Sequence, residues 1–421
     1  MDYDHLRIGI VSTRLAGTDG VSLETEKWAG ILTARGHTCF YFAGELDRPD
    51  EISYLLPEAH FQHEEIARLH EDLFNHPIRQ SATSEKIHKL RQHIKQHLYQ
   101  FQRQFEIDVL ITENVLAIPL NVPLALALTE FIAETRIPTI AHHHDFSWER
   151  KRFSVNAAQD YLHAAFPPTL PSIQHVVINS FAARQLALRT GAISTLIPNV
   201  MDFETGPTLP DGYADDLREA LGISREENFV LQPTRIVPRK RIEHAIELTR
   251  RINDSSVLVI SHESGDEGSG YERYLRDYAT ILNTRVIFGA EMIRPQRGAL
   301  PDGSKCFSLA DAYYNADLVT YPSTVEGFGN AFLESVFYRK PIVMSNYEIF
   351  KTDIQPKGFR VIGFDDYISD ETVHMAREVI QNPDLAAELA EHNFNLGKRF
   401  FSYSILEKLL DSLLARIRDF V

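Results

Sequence analysis

Pro322-Ser323-Thr324-Val325-Glu326-Gly327-Phe328-Gly329-Asn330-Ala331-Phe332-Leu333-Glu334 decides how this chain is read. Just ahead of it, Leu318 to Tyr321 is a short β-branched and apolar run that stops at a proline, which reads as a strand. Gly327 and Gly329 stand two apart in the turn that follows. Ala331, Phe332, Leu333, Val336 and Phe337 then recur at helical spacing. The pattern is a strand, a tight glycine loop and a helix N-terminus. Such a corner turns backbone N–H groups and a partial positive charge toward an anion. Glu326 sits in the loop and Glu334 about one turn into the helix. Carboxylates placed there accept hydrogen bonds from ligand hydroxyls while the loop amides take a phosphate. Hydroxyls together with a diphosphate describe a nucleotide sugar.

The rest of the chain supplies a setting for that corner. Its 421 residues suit two domains of about 200 residues each. Arg7 to Ser12, Thr38 to Ala43, Ile107 to Thr112, Thr139 to His142, His175 to Asn179 and Thr195 to Pro198 read as short strands. Helical patterns lie between them, Val21 to Ala34 first. Residues 58–105 are polar, rich in His, Glu and Gln, and read as one or two surface helices. The second half repeats the scheme with strands at Phe229 to Gln232, Val257 to Ile260, Val286 to Phe288, Leu318 to Tyr321, Ile342 to Ser345 and Phe359 to Ile362. Strands alternating with helices predict parallel α/β sheets with ligands at the strand C-terminal ends. Met201 to Gly212, dense in Gly, Pro and Asp, reads as the linker between domains. Leu406, Leu409, Leu410, Leu413, Leu414 and Ile417 make one face of a terminal helix.

Bulk properties narrow the partners. A net charge of −15 argues against general binding to nucleic acid or to anionic membranes. The longest apolar stretch, Val115 to Leu128, is broken by Pro119, Asn121 and Pro123 and is too short to span a bilayer. The polar start, Met1 to Arg7, shows no signal peptide. Cys39 and Cys306 lie in different halves and read as free thiols in a reducing cytoplasm.

Three further stretches carry chemistry. Arg235, Arg239, Lys240 and Arg241 crowd a strand-to-helix turn, a place for an anion. Thr139 to Arg150 runs a strand into His142, His143, His144 and Asp145. Histidine and aspartate suit a metal, yet successive strand residues alternate sides, so three consecutive histidines do not readily share one ion. Gly17 and Gly20 lie in a loop that opens a helix and allow close backbone approach to a ligand, without the G-x-G-x-x-G fingerprint of dinucleotide sites.

The corner at Glu326 to Glu334 resembles the E-x7-E signature of retaining GT-B glycosyltransferases of family 4, and the resemblance extends over nearly the whole chain. It implies two Rossmann-like domains facing a cleft. Residues 1–200 would form the acceptor side, joined by a C-terminal helix, 401–421, that crosses back. Residues 207–400 would form the nucleotide-sugar domain. Arg235 and Lys240, five apart, then match the pair that grips the leaving diphosphate, with Glu326 and His144 completing the catalytic set. His142 shares the strand side of His144 and stays a rival for that place. Gly17, Gly20, Gly327, Phe328, Gly329, Asn330 and Glu334 fall to donor binding, Glu334 on the ribose. Ile197 to Asp202 resembles the family's linker motif with its glycine replaced by Val200.

The stretch from His142 to Arg150, with the basic run Arg150-Lys151-Arg152, resembles the mannosylglucosylglycerate synthase-like branch, whose acceptors are small, soluble and anionic. Trp148 offers a flat face for a sugar ring and Arg150 a fork for a carboxylate or phosphate. The expected reaction is retaining, metal-independent transfer of a hexose from a donor of the GDP-mannose or UDP-glucose type. No cofactor and no metal are expected. No D-x-D stands at a strand end, since Asp365-Asp366 are adjacent and Asp215-Asp216 lie near the linker. A GT-B epimerase, a phosphorylase or a non-catalytic nucleotide-sugar binder are the alternatives, and a homo-oligomer stays open.

Overall fold

The computed structural model describes residues 5–17, 19–208, 210–264 and 270–418. Thr18 of the glycine loop, Leu209 of the linker and the chain ends, 1–4 and 419–421, lie outside them. The chain divides into two compact units, Met1–Asn199 with Leu406–Val421, and Val200–Ile405.

The first unit holds β1 (Arg7–Val11), β2 (Thr38–Ala43), β3 (Ser53–Leu55), β4 (Val109–Glu113), β5 (Thr139–His143), β6 (Ile173–Val177) and β7 (Ser194–Leu196). They form one sheet in the order β3-β2-β1-β4-β5-β6-β7, parallel throughout. The central strands β4 and β5 are buried along their whole length, polar ends included, because helices cover both faces. Residues 58–105 form two helices, Glu64–Leu73 and Ser81–Phe105. The longer one is less superficial than its polar composition suggests. Ile87, Ile94, Leu98, Phe101 and Phe105 follow one another at steps of seven, four, three and four residues, one helical face, and are buried in the main core. The terminal helix Tyr403–Arg418 joins this unit through Arg35, which pairs with Glu407 at 3.2 Å and Asp411 at 2.9 Å.

The second unit holds β8 (Asn228–Gln232), β9 (Ser256–Ile260), β10 (Val286–Phe288), β11 (Ile293–Arg294), β12 (Gly298–Ala299), β13 (Lys305–Ser308), β14 (Leu318–Tyr321), β15 (Ile342–Ser345) and β16 (Ile362–Phe364). Six make a parallel sheet, β10-β9-β8-β14-β15-β16. The other three form a small sheet, β11-β13-β12, for which the sequence reading had no strands. The last large-sheet strand also starts later than expected. Gly358 takes φ +97°, Phe359 packs against Phe332 and Phe401, and the Arg360 N–H donates to Asn393, so the ladder begins at Ile362.

Each large sheet reverses its strand order once, between β1 and β4 and between β8 and β14. In open α/β sheets the crevice for a ligand opens beyond the strand C-termini at that reversal. Among the described residues no helix is long and apolar enough to cross a membrane.

Candidate active site

At the reversal of the second sheet, two loops meet. Leu318 pairs with Val230 and Val319 with Leu231, which sets β8 and β14 side by side. Their ends are locked by a buried polar chain. Thr320 Oγ1 donates to Gln232 Oε1 at 2.8 Å, and Gln232 Nε2 donates to Thr234 Oγ1 at 2.7 Å. The loop after β8 carries Arg235, Arg239 and Lys240 into the helix Ile242–Ile252. The loop after β14 carries Glu326 into the helix Asn330–Phe337. The Thr324 N–H donates to the Arg239 carbonyl at 2.9 Å, stitching the loops together.

Lys240 is 7% exposed, and its Nζ pairs with Glu326 Oε1 and lies 5.0 Å from the centre of the Tyr321 ring. Arg239 NH1 reaches the same oxygen at 3.1 Å. Burial alone would raise the Glu326 carboxyl, but Lys240 and then Arg239 outweigh it and hold it below the usual range. Arg235 is exposed and makes no ion pair with another described residue. Its charge is felt at His262, which burial pushes down first and Arg235 and Lys240 push down further, to about 4. The corner is therefore electropositive, as an anion site requires. Arg241, by contrast, turns away to the carbonyl of Asp366 at 2.6 Å.

Gly329 has φ +115°, and a Cβ there would lie 2.2 Å from the Tyr347 hydroxyl, so the turn admits only glycine. That hydroxyl donates to the Phe328 carbonyl at 2.7 Å. The Phe328 side chain is core, packed on Phe401, which leaves its backbone alone to serve a ligand. Gly327 is partly buried beside it, and Asn330 is the first residue of the helix. Glu334, half-buried on that helix, accepts from the Tyr313 hydroxyl at 2.9 Å. Burial first, and Glu334 second, push the Tyr313 phenol well above its ordinary value.

In the first unit the strand ends at the reversal gather a different set. Glu113 closes β4 and is in register with His142 on β5. Glu113 Oε2 lies 3.0 Å from His142 Nδ1 and 3.2 Å from His144 Nε2. Burial would raise the Glu113 carboxyl, but His142 and then His144 hold it at about 2. Burial would likewise lower His144, yet the Glu113 hydrogen bond and charge, then Glu24 and Asp145, raise it. Trp28 stacks on His142 with ring centres 4.2 Å apart. His143 points to the opposite face, as strand alternation requires, and its Nε2 lies 2.9 Å from His175 Nδ1. Burial first, then His175, drives His143 well below its ordinary value. Glu113, His142 and His144 each offer a ligand atom within 4.8 Å of the others and are the residues here able to hold a metal.

Asn114, at φ +60°, ties this end together. Its Oδ1 accepts from the His144 N–H at 3.1 Å, and its Nδ2 donates to Asp145 Oδ1 at 3.1 Å. Arg150 pairs with the other oxygen of Asp145 and is 47% exposed. Trp148 is less open than a sugar platform would be. Phe146 stacks on it at 4.4 Å, and the Arg189 guanidinium lies over its ring at 5.1 Å. Gly17 takes φ +74° and its N–H donates to Asp47 at 2.8 Å. Gly20 begins the helix Gly20–Ala34, whose first amides, Val21 and Ser22, are capped by Asp19. Glu113 and Asn114 escaped the sequence reading, which ended that strand at Thr112. A carboxylate directly after the β-branched and apolar run Val109 to Thr112 was the signal.

Two parallel-sheet units with an electropositive corner and paired glutamates at the sheet reversal have the architecture of a GT-B glycosyltransferase. Sucrose-phosphate synthase from Thermosynechococcus elongatus matches the fold with a TM-score of 0.67, at 15% identity over 99% of this chain and 100% of its own. HepE from Anabaena, solved with UDP and glucose, matches with a TM-score of 0.65, at 15% identity over 98% and 100%. No family model matches the chain. Over 96% of its length it is 30% identical to mannosylglucosylglycerate synthase from Thermotoga maritima, covering 99% of that protein. The same synthase from Petrotoga mobilis is also 30% identical, over 96% of this chain and 100% of its own. The chain belongs to the mannosylglucosylglycerate synthase family.

Proposed function

We propose that this protein transfers a hexose from a nucleotide sugar to a small, soluble sugar acid, with retention and without a metal. The observation that carries the reading is the electropositive corner of Arg235 and Lys240 set against Glu326 and Glu334. As the glycosidic bond breaks, negative charge builds on the departing diphosphate, and preorganised cations stabilise it there. Arg235 and Lys240 fill that role. Glu326 accepts from sugar hydroxyls, Glu334 from the ribose, and the backbone from Gly327 to Asn330 meets the phosphates at a helix N-terminus. The acceptor hydroxyl attacks on the face the diphosphate leaves, and its proton passes to the departing phosphate oxygen.

The relatives' name describes a product built from mannose, glucose and glycerate. That supports a glycerate-bearing acceptor here and a donor of the GDP-mannose or UDP-glucose type. Arg150 is the cation for the acceptor's carboxylate, with Trp148 contributing its edge. Cys39 and Cys306 are both buried free thiols, which fits a reducing, cytoplasmic setting.

The deciding experiment incubates the protein with a panel of nucleotide sugars in EDTA, first without acceptor and then with glycerate glycosides. Slow donor hydrolysis names base and sugar together, and NMR of the product reads the anomeric configuration. Absence of hydrolysis across the panel, or activity that returns only with Mg²⁺ or Mn²⁺, would sink the donor assignment or the metal-independent route respectively.

A further inference from the structure

We propose that Glu113, His142 and His144 form a binding site for a divalent first-row transition ion of the Zn²⁺ class. The ordinary account of three consecutive histidines is that neighbours on a strand face opposite ways. That account removes His143, which turns to His175 on the other side. It also puts His142 and His144 on one side, where β4 delivers Glu113 beside them.

The geometry matches a coordination shell. Zn²⁺ binds imidazole nitrogen at about 2.0–2.1 Å and carboxylate oxygen at about 2.0–2.2 Å, so two ligands on one ion lie roughly 3.0–3.4 Å apart for octahedral to tetrahedral angles. Glu113 Oε2 stands 3.0 Å from His142 Nδ1 and 3.2 Å from His144 Nε2, and Oε1 stands 3.3 Å from His142 Nδ1. All three ligand atoms fall within 4.8 Å of one another, with the two rings 4.4 Å apart between centres. A small closing movement brings them onto one ion.

The surroundings select the class of ion. Two imidazoles and one carboxylate suit Zn²⁺, Co²⁺ or Fe²⁺, whereas Mg²⁺ and Ca²⁺ prefer shells made of oxygen. The side chains of Glu113 and His142 are 0% and 1% exposed, while that of His144 is 12% exposed. The shell is thus closed on one side and open on the other, leaving a position for water or another ligand. Glu24 and Asp145 add negative charge around His144, against the cations Lys27 and Arg150 held by those same acids. The Trp28 ring fixes the plane of His142.

The test is a binding measurement on the full chain, independent of any transfer activity. Protein stripped with chelator and dialysed is titrated with Co²⁺, following its visible absorption, and Zn²⁺ is then added in competition. One Co²⁺ per chain, displaced by Zn²⁺ and indifferent to excess Mg²⁺, is the expected result. Glu113→Gln and His144→Ala should each weaken binding roughly 100-fold or more, since even the loss of an outer partner costs 10–100-fold. The paired substitution His93→Ala and His97→Ala, on the helix Ser81–Phe105, should leave it unchanged. His144 is partly exposed, so His144→Ala supplies a folded variant, checked by circular dichroism, should Glu113→Gln not fold. No saturable binding to the wild type, binding retained in folded His144→Ala, or binding lost with His93 and His97 would each overturn the site.

Discussion

Lys240→Met should separate what the Lys240–Glu326 pair does for stability from what it does for turnover. The two side chains are 9% and 10% exposed. Removing Nζ leaves Arg239, at 3.1 Å and 41% exposed, as the cation beside the Glu326 carboxylate. Stripping one partner from a buried ion pair costs about 3–5 kcal/mol, because the other charge stays buried and unpaired. A solvent-exposed partner such as Arg239 returns at most about 1 kcal/mol. The expected net loss is therefore roughly 2–4 kcal/mol. Adding Glu326→Gln removes the stranded charge, so the double variant should recover at least half of that loss. Turnover should not recover with it. The cation beside the leaving diphosphate is still missing, and kcat should stay down on the order of 100-fold or more in both variants. Urea unfolding, with the m-value compared across variants, reads the stability arm, and donor hydrolysis reads the other. A single variant within about 0.5 kcal/mol of wild type would show that the pair is not the buried contact described. A double variant with restored kcat would remove Lys240 from the leaving group.

Glu334→Gln keeps an acceptor for the Tyr313 hydroxyl but loses the charge, and should weaken nucleoside diphosphate binding about 10–100-fold by calorimetry, the measure of roughly 1.5–3 kcal/mol for a charge-assisted bond; unchanged affinity takes Glu334 off the ribose. His262 sits at about 4, below its ordinary 6.5, so the folded protein binds fewer protons than the unfolded chain between those values. Stability should fall as pH drops through that window, by up to about 3 kcal/mol from this group, and His262→Gln should flatten the loss. A nucleoside diphosphate bound to Arg235 and Lys240 should draw a proton onto His262 near pH 6, seen as buffer-dependent binding enthalpy; zero proton uptake would place the anion elsewhere. Arg150→Ala should raise KM for an anionic acceptor and leave donor hydrolysis alone, the mark of lost acceptor binding rather than lost catalysis. Transfer and hydrolysis falling together would end the acceptor role of Arg150.

The corner from Leu318 to Glu334 was legible because its instructions are local. A β-branched run, a proline, two glycines and a helical repeat act within 17 residues of one another, and each needs only its neighbours to be read. The basic turn after β8 was legible for the same reason. Boundaries that depend on partners were not. The sequence ended β4 at Thr112, yet Glu113 pairs with His142, 29 residues on, and only that register makes it part of the strand. Phe359 looked like strand because it is aromatic, but it is buried against Phe332 and Phe401 before the ladder starts. The strands β11, β12 and β13 are two to four residues long and lie among Pro295, Gly298, Pro301 and Gly303, so their surroundings read as turns and loop.

The sequence by itself determined the alternation of strands and helices, the parallel α/β class and the chemistry of the loops, since backbone preference and hydrophobic period are carried by adjacent residues. Only the tertiary structure decided which charges meet. Lys240 finds Glu326 across 86 residues, His144 finds Glu113 across 31, and Trp148 is packed by Phe146 and Arg189 rather than left open. Sheet order brings those groups together, and sheet order is set by the packing of every strand at once. A charged or aromatic side chain acquires its partner, its ionisation and its exposure from that packing, none of which is written at its own position.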